Sequence, residues 1–274
     1  MVDVLVNADD FGATLGINKA VVDGHMYGVI NSTSLMVTMK YAGQAAESAK
    51  SLPNLKVGLH LNLTNEKCAA LKSKIPLLVD EKGRFKNGFL KLLILSFTHP
   101  FALRRQVIIE TEAQIKKFQK TRLQMAHIDS HRHVHMIPAL FKIVKKLALK
   151  YDIPRIRQVN ESLFHTFKCN RNFSFLFDGG LLKLVVLKTF YYYNRYYPQT
   201  YFYSILYTGK LSKKRFKNFT VPKGYDLLEI GIHPGRPDID RQHLEDVYDK
   251  YVLSSNRRAE FETVMDVSLL RKIK

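Results

Sequence analysis

The chain has 274 residues, of which 46% are hydrophobic and 24% charged, a composition typical of a folded globular protein rather than a disordered one. Lysine and arginine outnumber aspartate and glutamate by 43 to 24, giving a net charge of +19. The basic residues are spread over several segments and match no nucleic-acid-binding module, so we expect no specific nucleic-acid partner. Solvated surface charge is the simplest interpretation, and an anionic membrane surface or anionic glycan stays open as a secondary partner.

The compartment can be inferred from three sequence features. The two cysteines, Cys68 and Cys169, lack the spacing of a disulfide framework or a metal site, and we expect free thiols. The chain opens with a β-like run rather than a secretory signal. The longest apolar stretches, 90–103 and 181–189, are shorter than a bilayer-spanning helix. We expect a cytoplasmic protein, with peripheral attachment at the membrane left open.

Strand-like and helix-like segments alternate along the chain. Hydrophobic patterning predicts strands at 2–7, 32–39, 55–63, 126–135, 153–159 and 227–233, and helices at 16–27, 42–51, 106–120 and 138–151. This alternation predicts parallel strands joined by helical crossovers, either as a barrel or as an open α/β sheet. We expect a single domain over residues 1–274.

Two adjacent carboxylates, Asp9 and Asp10, follow the first predicted strand in the stretch Asn7-Ala8-Asp9-Asp10-Phe11-Gly12. Ligands bind at the C-terminal ends of parallel strands in barrels and open sheets. Adjacent carboxylates repel one another in a cleft unless a cation neutralises one of them, so the pair favours a metal site. Capping of the following helix is the alternative interpretation.

A second polar pair lies in the stretch Gly58-Leu59-His60-Leu61-Asn62-Leu63-Thr64. His60 and Asn62 alternate with leucines, so both polar side chains share one face of the predicted strand. Taken alone, His60 would more often be a core or surface residue than a ligand. Together with the carboxylate pair, it becomes a candidate ligand.

The densest signal is a run in which four of the ten histidines occupy nine positions. In a strand, the alternate residues of this run would all project to one face: His127, Asp129, His131, His133 and His135. Desolvating several imidazoles together without a ligand is costly, so the run favours metal binding or catalysis over structural histidines. Later in the chain, His233 precedes Pro234-Gly235 at the end of the last predicted strand and is a candidate acid.

These four blocks, in this order, resemble the YdjC family of carbohydrate deacetylases, which includes chitooligosaccharide deacetylase and a hopanoid-biosynthesis branch. The resemblance covers nearly the whole chain. It implies a distorted (β/α) barrel similar to that of polysaccharide deacetylases, and one divalent ion, usually magnesium, bound by Asp10, His60 and His131. It also implies Asp9 as the general base and His233 as the proton donor. Relatives further suggest a homodimer.

The implied chemistry is removal of the N-acetyl group from an amino sugar or oligosaccharide by metal-activated water. Ligand chemistry alone leaves zinc and manganese open beside magnesium. We expect Asp129 to orient a ligand imidazole, as metal-bound histidines commonly require. No individual role is assigned to the other members of the cluster, which we expect to support the site or line the cleft: His127, His133, His135 and Asn62.

The region from about 162 to 217 mixes aromatic and basic residues, and we expect a helical insertion packed on the barrel. A sugar-facing or membrane-interfacial role is the alternative. Within it, Tyr203 to Leu211 resembles a stretch that lines the cleft in relatives. Two other functions also stay open for the whole chain: a non-hydrolytic binder of anionic glycan or lipid-linked sugar, and a metal-dependent phosphoesterase.

Overall fold

The computed structural model describes residues 2–170, 176, 179–194, 199–244 and 249–269. The chain divides into two compact units. The first comprises Met1–Asp9, Leu15–Thr33 and Gln158–Lys274, and the second comprises Asp10–Thr14 and Ser34–Arg157. The boundaries run through the first two strands, so each of these strands supplies residues to both units. A single domain over residues 1–274 stays a prediction.

The strands form a six-stranded sheet of order β4-β3-β2-β1-β6-β5. Their bounds are β1 Asp3–Phe11, β2 Ser32–Leu35, β3 Lys56–Leu61, β4 Met125–Ser130, β5 Thr200–Tyr203 and β6 Leu227–Ile232. β1 pairs with β6, β3 with β4, and β5 with β6, all in parallel. The prediction of an α/β fold of the distorted-barrel type is confirmed.

Helices connect the strands, as expected for parallel crossovers. Their bounds are α1 Leu15–Met26, α2 Ala42–Lys50, α3 Phe89–Thr98, α4 Pro100–Gln119, α5 Pro138–Lys150, α6 Leu163–Asn170, α7 Gly180–Asn194, α8 Pro237–Asp240 and α9 Ser255–Val264. The four predicted helices are confirmed, although α4 begins six residues earlier than predicted. Among the described helices, we find none with the combined length and apolarity needed to cross a bilayer.

β1 carries the site because it is a buried strand that ends in polar residues. Every residue from Leu5 to Phe11 is buried, as is usual for a central parallel strand covered on both faces. Its register with β6 pairs Asn7 with Gly231 and Ala8 with Ile232. Asp9 is the next residue of β1 and His233 directly follows the end of β6, so the pairing of these strands brings a carboxylate beside an imidazole.

Several predicted strands differ from the structure: the strand predicted at 2–7 extends to Phe11, and the strand predicted at 32–39 ends at Leu35. The strand predicted at 126–135 ends at Ser130, and His131–Met136 forms a 3-10 segment in which Arg132 and His133 adopt left-handed φ values of 56° and 55°. That backbone breaks the period-two alternation on which the one-face prediction rested. The segment predicted as a strand at 153–159 contributes one isolated bridge, from Ile156 to Ile128.

The aromatic and basic region holds the two helices α6 and α7, in line with the predicted helical content. It also supplies β5, which pairs with β6 as an edge strand of the sheet, so the region is not purely an added helical segment. The buried carboxylate of Glu161 accepts backbone N–H groups of Ser204, Ile205 and Leu206 directly after β5. These bonds fix the beginning of the predicted cleft-lining stretch. Both cysteines are free.

Candidate metal centre

Asp10 lies at the end of β1 with a left-handed φ of 67° and is almost fully buried. Aspartate tolerates this conformation better than most residues because its short polar side chain can bond locally. Gly12 follows with φ of 93°, and a Cβ there would lie 3.0 Å from the backbone of Ala42. The Asp-Phe-Gly turn therefore needs glycine to bring the chain out of the strand.

His60 on β3 and Asp129 on β4 are register partners, and both are buried. His60 Nδ1 lies 2.7 Å from Asp129 Oδ1, which fits an imidazole N–H that donates to a carboxylate. The other ring nitrogen, Nε2, lies 3.6 Å from Asp10 Oδ1. In this tautomer Nε2 carries a lone pair facing a carboxylate oxygen, and the two repel unless a cation or a second proton intervenes.

Asp129 is held by two further donors. Its Oδ2 accepts a hydrogen bond from Ser34 Oγ and forms an ion pair with Arg157 Nη2, each at 2.7 Å. Arg157 is fully buried, so the ion pair is shielded from solvent, and each of the two charges needs the other to offset its cost of desolvation. The result is a carboxylate with one oxygen left to orient His60.

His127 packs behind this arrangement rather than beside Asp10. Its Nε2 lies 3.0 Å from Ser34 Oγ and 3.8 Å from Asp129 Oδ2. The ring covers Gly58, where a Cβ would lie 2.4 Å from the imidazole atoms. Position 58 therefore accommodates only glycine, because the His127 ring occupies the space that a Cβ would need. His127 and Asp129 share one face of β4, as the alternation predicted.

His131 lies just beyond β4, half-buried, with its ring centroid 6.0 Å from that of His60. Its Nδ1 is 2.7 Å from Thr64 Oγ1. Thr64 belongs to a turn organised by Asn62, whose Oδ1 accepts the backbone N–H groups of Thr64 and Asn65. Asn62 thus acts on the position of His131 through this turn.

His133 and His135 do not share the face of His127 and Asp129, and the prediction that all five residues do so is wrong. The left-handed backbone at Arg132 and His133 turns the chain away from the strand direction. His135 is buried, its Nδ1 lies 2.6 Å from Ser130 Oγ, and its Nε2 lies 3.1 Å from the Arg157 carbonyl oxygen. Burial lowers the pKa of His135 to about 4, so this imidazole is neutral and structural.

Asp9 lies on the first unit with a different set of neighbours. Its Oδ1 accepts a hydrogen bond from Asn7 Nδ2 at 2.8 Å, and Asn7 Oδ1 accepts one from Ser32 Oγ. His233 Nε2 lies 3.9 Å from Asp9 Oδ2. The carboxylate is therefore held on one oxygen and faces an imidazole with the other.

Glu260, on α9, supports His233 from the opposite side. One carboxylate oxygen accepts the backbone N–H of His233 and lies 3.8 Å from its Nδ1, and the other accepts the backbone N–H of Leu211. Burial raises the pKa of Glu260 to about 7, opposed by these bonds and by Arg257, while Asp9 raises the pKa further. Glu260 fixes the backbone that carries His233.

A divalent ion fits the chemistry of this centre. Within the second unit, His60 and Asp129 offer a buried imidazole and a buried carboxylate, which are donor types that a divalent ion takes. The facing pair of His60 Nε2 and Asp10 Oδ1 is the more specific observation, because a cation between them would remove their repulsion. The residues present therefore fit a bound metal.

Several supporting residues were missed from the sequence: Ser34, Thr64 and Arg157 in the second unit, and Glu260 in the first. A usable signal existed for Arg157, because a charged residue inside a segment predicted as a strand, here 153–159, is costly to bury without a partner. No comparable pattern marks Glu260, which lies in a helix far along the chain.

Comparisons with known proteins show which family this chain resembles. A family model described as YdjC-like protein matches residues 3–274. A carbohydrate deacetylase from Brevibacillus brevis is 41% identical over 152 residues, which are 55% of this chain and 57% of that protein. A carbohydrate deacetylase from Vibrio parahaemolyticus is 31% identical over 235 residues, 86% of this chain and 79% of that protein. The chain thus matches just over half the length of the Brevibacillus protein.

Among solved structures that match, one covers nearly the whole chain. It is a crystal structure from Enterococcus faecalis V583, described as that of a candidate cellobiose-phosphate cleavage protein. The TM-score is 0.71 and the identity is 25%, over 99% of this chain and 93% of that chain.

Proposed function

The chain belongs to the YdjC-like protein family, and from this we propose that it is a metal-dependent hydrolase that removes the N-acetyl group of an amino sugar. Relatives named carbohydrate deacetylase support the reaction and the substrate class. The buried group of carboxylates and imidazole supports the dependence on metal. The observation that carries the proposal is the contact of His60 with Asp129 on one ring nitrogen and with Asp10 on the other.

We assign the metal ligands as Asp10, His60 and His131. Asp129 is not chosen, because its two oxygens already accept from His60, Ser34 and Arg157. A carboxylate behind a ligand imidazole is a common arrangement at metal sites and fixes the tautomer in which Nε2 carries the lone pair that coordinates. Mixed oxygen and nitrogen ligands suit magnesium, manganese or zinc, and magnesium is the ion that the family resemblance implies.

When bound, the ion lowers the pKa of a coordinated water and polarises the acetyl carbonyl. Asp9 accepts the proton as water attacks the carbonyl carbon. Its Oδ1 accepts the hydrogen bond from Asn7, and its Oδ2 faces His233. His233 donates a proton to the amine nitrogen as the C–N bond breaks. The products are acetate and the free amino sugar.

Glu260 is a positioning residue in this scheme. It holds the backbone of His233 rather than touching substrate, so it keeps the imidazole beside Asp9. Lys183, on α7, is a second cationic group that interacts electrostatically with Asp9. Burial lowers the pKa of Lys183 to about 8, while Glu161 and Asp9 act in the opposite direction.

The test is acetate release from N-acetylated mono- and oligosaccharides after the metal is stripped with chelator and then readded. The proposal predicts no release by the stripped protein and recovery with a divalent ion. Release that persists in chelator would refute metal dependence. A parallel screen of phosphate esters separates this reaction from phosphoesterase chemistry, because phosphate release without acetate release would replace the assignment.

A further inference from the structure

The helix α3 exposes an apolar face that its own fold does not bury. Leu92 and Leu95 are buried on one side of this helix, whereas Leu90, Ile94 and Phe97 are 68%, 45% and 76% exposed on another. Positions 90, 94 and 97 follow helical spacing and therefore form a stripe. A helix that is apolar on both sides normally has a partner on both sides.

The stripe continues across the junction between α3 and α4. Phe101, in the first turn of α4, is 86% exposed, and only three residues separate it from Phe97. Beside it, a groove of about 790 Å³ runs between α4 and α5. Its large apolar lining residues are Phe101, Leu103, Ile108, Leu140, Ile143 and Leu147. All of these residues belong to the second unit.

Basic side chains surround this apolar surface. Lys91 is exposed on α3, Arg104 on α4, and Lys142 and Lys146 on α5, the last three also lining the groove. No aspartate or glutamate occurs in residues 88–109 or 138–151. The acidic residue at the groove, Glu112, is ion-paired with Lys150 at 2.6 Å.

We propose that this surface, formed by Leu90, Ile94, Phe97, Phe101, Lys91, Arg104, Lys142 and Lys146 and here termed the α3–α5 face, docks the chain on an anionic lipid bilayer. Protruding phenylalanines and leucine enter the boundary between headgroups and acyl chains, while the surrounding lysines and arginine contact lipid phosphates. A bilayer accepts side chains that stand out singly, without a matching pocket. The proposal does not depend on the assigned reaction.

A second copy of the chain fits this face less well. A twofold interface applies the same patch to itself, so the basic rims around Lys91 and Lys142 would be brought towards each other. Like charges held together in this way cost free energy, whereas an anionic surface is attracted to all of them. Charge complementarity therefore selects the bilayer.

The experiment is flotation of the full chain with vesicles of phosphatidylcholine alone and with about one third phosphatidylglycerol. We expect binding to the anionic vesicles at low salt and its loss as salt rises, because screening weakens charge attraction. The paired change Phe97→Ser with Phe101→Ser should weaken partitioning at least about tenfold. The paired change Lys142→Glu with Lys146→Glu should weaken it about thirty-fold or more.

Matched controls change similar residues elsewhere. Met26→Ser with Tyr27→Ser alters two side chains that are 54% and 67% exposed, and Lys56→Glu with Lys120→Glu reverses two exposed charges. Both controls should float like the unaltered chain. Acetate release from a soluble N-acetylated sugar should be unchanged in the Phe97 and Phe101 variant, which separates this proposal from the reaction.

Three results would overturn the proposal. The first is no flotation with anionic vesicles at low salt. The second is equal flotation by the variants of the face and the controls. The third is a dimer in sedimentation that the Phe97 and Phe101 changes abolish, without vesicle binding, which would assign the face to a second copy.

Discussion

His60 and Asp129 are partners in the register of β3 and β4, and the imidazole Nδ1 lies 2.7 Å from the carboxylate Oδ1. This contact fixes which nitrogen of His60 faces Asp10. The ligand geometry of the centre therefore depends on a residue that we do not assign as a ligand.

Replacing Asp129 with asparagine should weaken metal binding by about 10- to 100-fold. The reason is that a neutral amide replaces the carboxylate that accepts the His60 Nδ1–H and fixes the tautomer of this imidazole. It should also lower the free energy of unfolding by about 3–5 kcal/mol, since Arg157 is left buried without its carboxylate. Calorimetric metal titration and urea unfolding measure the two effects. Ser34→Ala removes one donor and keeps the charge, so it should change metal affinity far less. Equal losses in both variants would contradict the role given to Asp129.

Replacing Asp9 with asparagine should reduce the rate of acetate release by about 10²- to 10⁴-fold, the usual range for loss of a general base. The metal dissociation constant should stay nearly unchanged, because Asp10 rather than Asp9 is the assigned ligand. His233→Ala should behave in the same way. A large loss of metal affinity in the Asp9 variant would move this carboxylate into the ligand set.

Glu260 predicts a pH dependence of stability. Burial raises its pKa from 4.5 to about 7, so between these values the folded chain holds a proton that the unfolded chain has lost. This contribution is full below pH 4.5 and is lost as pH rises through 7, by about 3 kcal/mol. Urea unfolding at pH 5 and pH 8 should show this loss for the unaltered chain and a smaller change for Glu260→Gln. Identical pH dependence in the two proteins would contradict the prediction.

Replacing Gly58 with alanine should destabilise the fold by about 1–3 kcal/mol, because the new Cβ would occupy the space of the His127 ring. Gly43, in α2, is the matched control, since its Cβ would meet nothing within 4 Å. Gly43→Ala should be neutral or stabilising by up to about 1 kcal/mol. Thermal unfolding of both variants checks the contrast, and equal melting temperatures would be inconsistent with the packing described.

Much of the fold was predictable because buried parallel strands and amphipathic helices leave strong periodic patterns. The polar ends of these patterns also indicated Asp9, Asp10 and His60 as candidate site residues, since strand ends of parallel sheets collect polar groups. The prediction of a strand over the histidine run is wrong beyond Ser130, where β4 ends. The alternation of this run looks like a strand, but left-handed φ values at Arg132 and His133 redirect it, and nothing in those side chains requires this conformation.

Other residues escaped because their roles are tertiary. Glu260 accepts N–H groups from His233 and Leu211, which are 27 and 49 positions away, so no local pattern could relate them. Arg157 pairs with Asp129 from a neighbouring segment, where Ile156 bridges to Ile128, although the two charged residues are far apart in sequence. The roles of Arg157 and Glu260 depend on partners that lie near them only in the folded chain.

The most direct test of the metal centre is anomalous diffraction from crystals of the full chain grown with Mn²⁺. We expect an anomalous peak about 2.0–2.3 Å from Asp10, His60 Nε2 and His131, with His60 Nδ1 still bonded to Asp129. A peak bound by Asp9 and Asp129 instead, or no peak at this centre in protein that releases acetate, would contradict the assignment.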